Sequence, residues 1–224
     1  MNVAHNLEKI EEKIKNACKK VNRNEEEVQI VAVTKYVSIE RAEEAVKAGI
    51  THLGENYTDG FLTKYEAIAE EAVWHFIGTL QSRKVKDIID RVDYIHSLDR
   101  MSLAKEINKR AKKKVKCFVQ VNVSQEETKH GLSIEEVPDF LTKLQDYEKV
   151  EVVGLMTMAP YVDDEEEMRQ VFKRLRVLRD DLQKQFPNLS LKELSMGMSN
   201  DFHIAVEEGA TFVRIGSSLV GSER

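Results

Sequence analysis

The feature that most constrains this chain is a rhythm: a short apolar run, then an amphipathic helical stretch, repeated to the end. The apolar runs fall at residues 28–34, 50–53, 74–77, 94–98, 115–123, 150–156, 191–194 and 211–215. The first, VQIVAVT, is nearly unbroken in β-branched and aliphatic residues, as expected of a strand buried on both faces of a parallel sheet. Between the runs, helices are marked by their stripes and ends. Ser38 is placed to cap a helix with Ile39, Ala42 and Val46 inward and Gly49 at its stop. Asp99 stands before a helix over 100–113, and Ser133 and Glu136 have capping-box spacing ahead of Val137, Phe140, Leu141 and Leu144. Met168, Val171, Phe172, Leu175, Leu178 and Leu182 stripe a helix over 165–185, whose acidic start at 163–167 suits the helix dipole. An additional stripe, Leu7, Ile10, Ile14, Ala17, Cys18 and Val21, precedes the first strand.

Strands alternating with helices imply right-handed βαβ units and a parallel sheet. Eight units in 224 residues fit an α/β fold of one closed (β/α)₈ TIM barrel with an extra N-terminal helix, a single domain over 1–224, better than an open doubly wound sheet. With 10 Gly and 3 Pro, no segment reads as a linker. The 34 basic and 39 acidic side chains argue against a basic field for nucleic acid or anionic membrane. No run nears the roughly 18 apolar residues of a membrane span, and the N-terminus lacks a basic start and hydrophobic block, so a cytoplasmic protein is expected. Cys18 and Cys117 are isolated and read as small apolar residues, with no metal-ligand spacing.

In a barrel the reactive groups sit where strands end. Those positions hold Lys35, Glu55 and Asn56, the segments 78–81, 197–200 and 214–218, and Asn122, Thr157 and Met158. From position alone Lys35 reads either as a lysine snorkelling to solvent or as an amine over the barrel mouth, activated by desolvation and neighbouring cations. SMGMSND and RIGSS are small-residue turns after late strands. Ser199 is expected to start a helix backed by Phe202, Ile204, Ala205 and Val206, and Gly216 and Ser217 offer a nest of amides. Both are anion sites or ordinary turn chemistry. Arg214, inside the last strand, requires a partner, either a ligand or a structural carboxylate. His52, His75 and His96 read as core or rim residues rather than ligands, the basic run 109–116 as a solvated helix end, and Lys129, His130 and Gly131 as a loop that could act as a lid.

A strand-one lysine facing phosphate nests after strands seven and eight is what pyridoxal 5'-phosphate (PLP) requires: an amine for its aldehyde and amides for its phosphate. The stretches VAVTKY, HLGENY, HFIGTLQ, VNVSQEETKHGL, VVGLMTMAP, LSMGMSNDF and VRIGSSLVG, in order over nearly the whole chain, resemble the YggS/PROSC family of pyridoxal phosphate homeostasis proteins. The resemblance implies a fold-type III barrel like the N-terminal domain of alanine racemase, with PLP held as a Schiff base on Lys35. It places Asn56 near the ring, Met196 and Ser199 at cofactor-lining and phosphate positions, Arg214 against the pyridine nitrogen, and Gly216 and Ser217 on the phosphate. Two departures stand out: Arg83 in LQSRK where Asn is usual, and the ending GSER in place of GER.

An arginine at the pyridine nitrogen weakens the ring as an electron sink. Racemases of the fold also draw a second base from a domain after the barrel, and this chain ends shortly after Ile215. The expectation is therefore a monomeric PLP carrier in vitamin B6 homeostasis, with PLP-dependent apoenzymes as candidate partners, more a regulator than an enzyme. Two alternatives stand: a weak PLP-dependent racemase or lyase using Tyr36, Tyr57 or His203 as second base, and a PLP-free barrel binding a phosphorylated metabolite.

Overall fold

The computed structural model describes residues 2–127 and 129–223. Its eight strands are β1 Gln29–Val33, β2 His52–Glu55, β3 Val73–Phe76, β4 Tyr94–Leu98, β5 Val115–Gln120, β6 Val150–Met156, β7 Glu193–Ser195 and β8 Phe212–Ile215. All pair in parallel with their neighbours, and β8 returns to β1, so the sheet is a closed barrel and the open doubly wound alternative is excluded. The helices are α1 Val3–Lys20, α2 Ile39–Lys47, α3 Thr58–Ile68, α4 Val85–Ile88, α5 Met101–Arg110, α6 Val137–Leu144, α7 Glu165–Gln185 and α8 Phe202–Glu207.

Most local signals hold. Ser38 accepts from the Arg41 N–H, Gly49 leaves α2 with φ of 103°, and the Ser133–Glu136 capping box is formed, ahead of a short 3-10 turn that leads into α6. Asp164 caps α7 by accepting from the N–H groups of Glu166 and Glu167. Three expectations are corrected. Asp99 does not cap α5 but pairs with Arg100, and α5 starts at Met101 without a side-chain cap and ends at Arg110. β5 ends at Gln120, because Val121 leaves the strand to bridge Leu132, although Val121 and Val123 remain buried. Ser199 does not open α8, as described below. Among the described residues no helix is long and apolar enough to cross a membrane.

Helix α1 covers the seam where β8 meets β1. Its apolar stripe is buried from Leu7 to Cys18, whereas Val21, read from sequence as part of it, stands past the helix end and is exposed; Val3 N–H reaches Glu44 on α2, and Lys20 pairs with Glu207 on α8. Arg23, just beyond α1, donates to the carbonyls of Val206 and Ala210 at 2.6 and 3.0 Å, and Asn6 donates to Leu219 O at 2.9 Å. The first helix thus ties down the last βα unit. At Gly154 a Cβ would lie 1.8 Å from Glu193 O, so β6 and β7 approach closely only because that position has no side chain.

The main core lies between sheet and helices, and a smaller cluster of Val31, Phe118, Met156 and Phe212 fills the lumen. Branched aliphatic layers usually occupy such a lumen. Here the imidazoles of His52, His75 and His96 cross it, linked at 2.8 Å each, with His75 stacked on Tyr94 and His96 against Phe118. His75 and His96 are fully buried, and desolvation holds both well below the ordinary histidine value of 6.5.

That burial fixes the sign of an acid effect. Below about pH 6.5 the unfolded rings bind protons that the folded ones refuse, so stability is intact above that pH and falls as pH drops through it, by about 1.4 kcal/mol per pH unit for each ring. Urea unfolding between about pH 5 and 8 is expected to show this decline, and a flat profile would mean that the lumen accommodates charged imidazoles.

Candidate functional site

The C-terminal ends of β1, β2, β7 and β8 form one corner of the barrel mouth. Parallel pairing of Gln29–Ala32 with Phe212–Ile215 sets the turn after β8 beside the turn after β1. Half-buried Lys35 follows Thr34 there, its Nζ 4.7 Å from the centre of the Tyr36 ring.

The peptide ahead of Lys35 is held from beneath. Lys64 Nζ donates to Thr34 O at 2.8 Å and to Glu55 Oε1 at 2.7 Å, and the Thr34 hydroxyl donates to the same carboxylate oxygen at 2.7 Å. Glu55 is fully buried and Lys64 is 6% exposed, so this ion pair is shielded from water. Next in the chain, Asn56 turns upward with its Oδ1 buried and unpartnered among the described residues, as is Glu55 Oε2. A Cβ on Gly78 would lie 2.3 Å from Asn56 O, so the turn after β3 presses against the Asn56 backbone through that glycine.

Across the seam, the Ser217 and Ser218 hydroxyls donate to Ser199 Oγ at 3.5 and 3.1 Å. The backbone N–H groups of Ser217 and Ser218 donate to none of the described residues. With those two hydroxyl protons spent on Ser199, the Ser199 hydroxyl and the two unspent amides remain as outward-facing donors for an anion. Ser199 belongs to this cluster as a turn residue: α8 starts at Phe202, and it is Asp201 whose carboxylate accepts from the Met198 N–H at 2.6 Å. The turn Met198–Asp201, closed by the Asp201 and Phe202 N–H groups donating to Met198 O, delays the helix to Phe202, and Asp201 stands at the N-cap without a side-chain cap bond. Burial raises the Asp201 carboxyl, and its hydrogen bond and nearby Arg214 oppose that shift. Beside the serines, a cavity of about 170 Å³ is lined by Lys9 and Lys13 of α1.

Arg214 points into the lumen and is 4% exposed. Its Nη1 donates to Ser195 Oγ at 2.5 Å and its Nη2 to Thr157 O at 3.1 Å. The structural carboxylate open from the sequence is not its hydrogen-bond partner: a hydroxyl and a carbonyl hold it, with Asp201 acting at longer range. Desolvation lowers its pKa to about 10, so the guanidinium remains charged at neutral pH. Met196, at the end of β7, is fully buried, its N–H donating to Phe212 O at 3.1 Å.

Of the residues expected from sequence, Lys35, Asn56, Ser199, Gly216 and Ser217 thus reach this end of the barrel, with Arg214 and Met196 buried below. Lys129 and His130 lie in the loop after β5; Lys129 pairs with Glu126. Sequence reading missed Lys64 and Ser195, and collected Ser218 only as part of the segment 214–218. Lys64 carried a signal, since it shares the buried face of α3 with Phe61 and Ile68. Among the described residues no His, Cys, Asp and Glu cluster could hold a metal ion.

These groups fit PLP chemically. A half-buried amine, a three-donor anion cradle, a buried cation and an unsatisfied Asn56 oxygen match an aldehyde, a phosphate and a heteroaromatic ring.

Comparison with known proteins places the chain among relatives. The family model "Alanine racemase, N-terminal domain" matches residues 5–224. The pyridoxal phosphate homeostasis protein of Aquifex aeolicus is 42% identical over 228 residues, covering 100% of both chains, and that of Haemophilus influenzae is 34% identical, covering 99% of this chain and 96% of the relative. Among solved structures, PipY of Synechococcus elongatus PCC7942 with PLP bound superposes with a TM-score of 0.86 at 31% identity, covering 98% of this chain and 100% of that one. An alanine racemase of Clostridium difficile 630 shares the fold, with a TM-score of 0.76 at 19% identity, covering 97% of this chain and 56% of its own.

The buried ion pair generates a prediction. Lys64→Met leaves Glu55 uncompensated and is expected to cost about 3–5 kcal/mol in urea unfolding, whereas Lys64→Met with Glu55→Leu recovers most of the loss. A single substitution costing under about 1 kcal/mol would show that the pair is dispensable.

Proposed function

Because the chain belongs to the family of pyridoxal phosphate homeostasis proteins, built on the alanine racemase N-terminal domain, we propose that it binds PLP at this corner and serves to hold and release it. The observation that carries this reading is the placement of Lys35 after β1 and of Ser217 and Ser218, bonded to Ser199, after the paired β8, above a buried guanidinium that has no carboxylate hydrogen-bond partner among the described residues. When bound, the cofactor supplies an aldehyde that condenses reversibly with an amine.

Lys35 provides that amine, forming a Schiff base with loss of one water. The Ser199 and Ser217 side chains, the turn at Gly216 and the free amides orient the phosphate. Asn56 borders the ring, and Met196 closes the floor. Arg214 stays protonated opposite the pyridine nitrogen, so that nitrogen accepts a hydrogen bond instead of a proton. A ring held in that state withdraws electrons poorly from a substrate carbon, which supports a carrier rather than an efficient catalyst. On this reading the chain acts as a cytoplasmic monomer in PLP homeostasis and passes the cofactor to PLP-dependent apoenzymes.

Borohydride reduction of the protein mixed with PLP is expected to leave one stable adduct, which peptide mass spectrometry places on Lys35 and which Lys35→Ala abolishes. An adduct persisting on another lysine would overturn the assignment. Ser199→Ala is expected to weaken PLP affinity by about fivefold, the loss of one hydrogen bond to a phosphate oxygen, with thermal unfolding unchanged. Exchange of substrate α-protons with deuterated solvent at a rate typical of an enzyme would replace the carrier reading with a racemase.

A further inference from the structure

The lumen contains an unbroken hydrogen-bonded line from the barrel floor to Arg214. His52 Nδ1 meets His75 Nε2 at 2.8 Å, His75 Nδ1 meets His96 Nε2 at 2.8 Å, and His96 Nδ1 meets Ser195 Oγ at 2.7 Å. Ser195 then accepts from Arg214. Only His52 is not fully enclosed, and it lines a cavity of about 610 Å³ at the floor of the barrel, opposite Lys35.

Proton counting restricts this line to two states. A neutral imidazole carries one N–H, so each nitrogen-to-nitrogen contact holds one proton only if all three rings face the same way. With every proton on Nε2, Ser195 donates to His96 and accepts from Arg214, and each group is satisfied. With every proton on Nδ1, His96 and Arg214 both donate to Ser195, whose own proton then has no acceptor among the described residues. Arg214 also repels positive charge from the His96 end, while Asp93 favours it at the His52 end. Both effects select the Nε2–H order.

We propose that this column is a relay positioning Arg214, and that proton uptake at His52 reverses it. A proton added to His52 gives that ring N–H on both nitrogens, so its Nδ1–H must donate to His75 Nε2. His75 and His96 then each move their single proton to Nδ1, and His96 becomes a second donor to Ser195, competing with Arg214. One proton enters, no bond between heavy atoms forms or breaks, and the charge stays at His52.

The groups facing His52 decide when this happens. They are His75 on β3, Asp93 and Tyr94 at the start of β4, Lys116 on β5 and Phe212 on β8. The cavity adds the carboxylates of Glu8, Glu11, Glu12, Glu25 and Glu26 and the Lys15 ammonium. Desolvation lowers the His52 titration below the ordinary histidine value, Asp93 opposes that shift and Lys116 reinforces it, so the reversal belongs to acidic pH.

The link to cofactor rests on the reading that Arg214 faces the PLP ring, but the relay is testable without PLP. Long-range proton–nitrogen correlation spectra of the ¹⁵N-labelled apoprotein report which nitrogen of each imidazole is protonated. Near pH 8 all three rings are expected as Nε2–H, and on acidification His75 and His96 should change to Nδ1–H, while neutral, in step with His52. An Nδ1–H ring near pH 8, or titration of His52 without change at His96, overturns the proposal. His52→Gln, which cannot titrate, should leave the other two rings unswitched. For the loaded protein, PLP release should accelerate severalfold on acidification in the wild type and much less in His52→Gln. Ser195→Ala, which cuts the line beyond His96, should keep the ring switching but lose the extra release. If PLP fails to bind through Lys35, the cofactor reading fails while the spectra still decide the relay.

Discussion

Everything at the functional end depends on the closure of β8 onto β1. Parallel sheets need both faces covered, and closing one into a barrel removes its edges and forces the first and last strands to be neighbours. That single pairing, Gln29–Ala32 with Phe212–Ile215, brings Lys35 to the serines of the last turn. Helix α1 guards the same seam, since Arg23 and Asn6 spend their donors on carbonyls of the final βα unit. The extra N-terminal helix therefore belongs to the geometry of the site as much as to the core.

The interior holds more polar chemistry than a barrel needs for stability. Lys64, Glu55 and Thr34 form one closed set beneath Lys35, and the histidines, Ser195, Arg214 and Thr157 form another through the lumen. Such groups are costly to bury and are tolerated where neighbours pair them, although Glu55 Oε2 finds no partner among the described residues. What they contribute is direction: a lysine backbone fixed from below, and a guanidinium held in one orientation by acceptors on β7 and just beyond β6.

Much of this could be read from particular residues. VQIVAVT declared a two-faced strand, Ser38 and Gly49 bracketed α2, and the helix read over 165–185 is α7. Lys35 was visible because it ends an apolar run, and Ser199, Gly216 and Ser217 because small residues cluster after late strands. The reading of Ser199 as a helix start failed since residues 198–201 close a turn on Met198 O and the helix begins only at Phe202. The histidines were correctly placed in the core, but their connection was invisible, because each is separated from the next by a whole βα unit.

The sequence by itself determined the alternation of strand and helix, hence the parallel barrel, and which residues stand at strand ends. These are local properties, carried by the periodicity of burial and by the chemistry of turns. Only the tertiary structure decided how the buried polar groups satisfy one another: Lys64 with Glu55, Arg214 with Ser195 and Thr157, and three imidazoles in line. Hydrogen bonding is a pairwise match of donors and acceptors across strands far apart in the chain, and no local period encodes it.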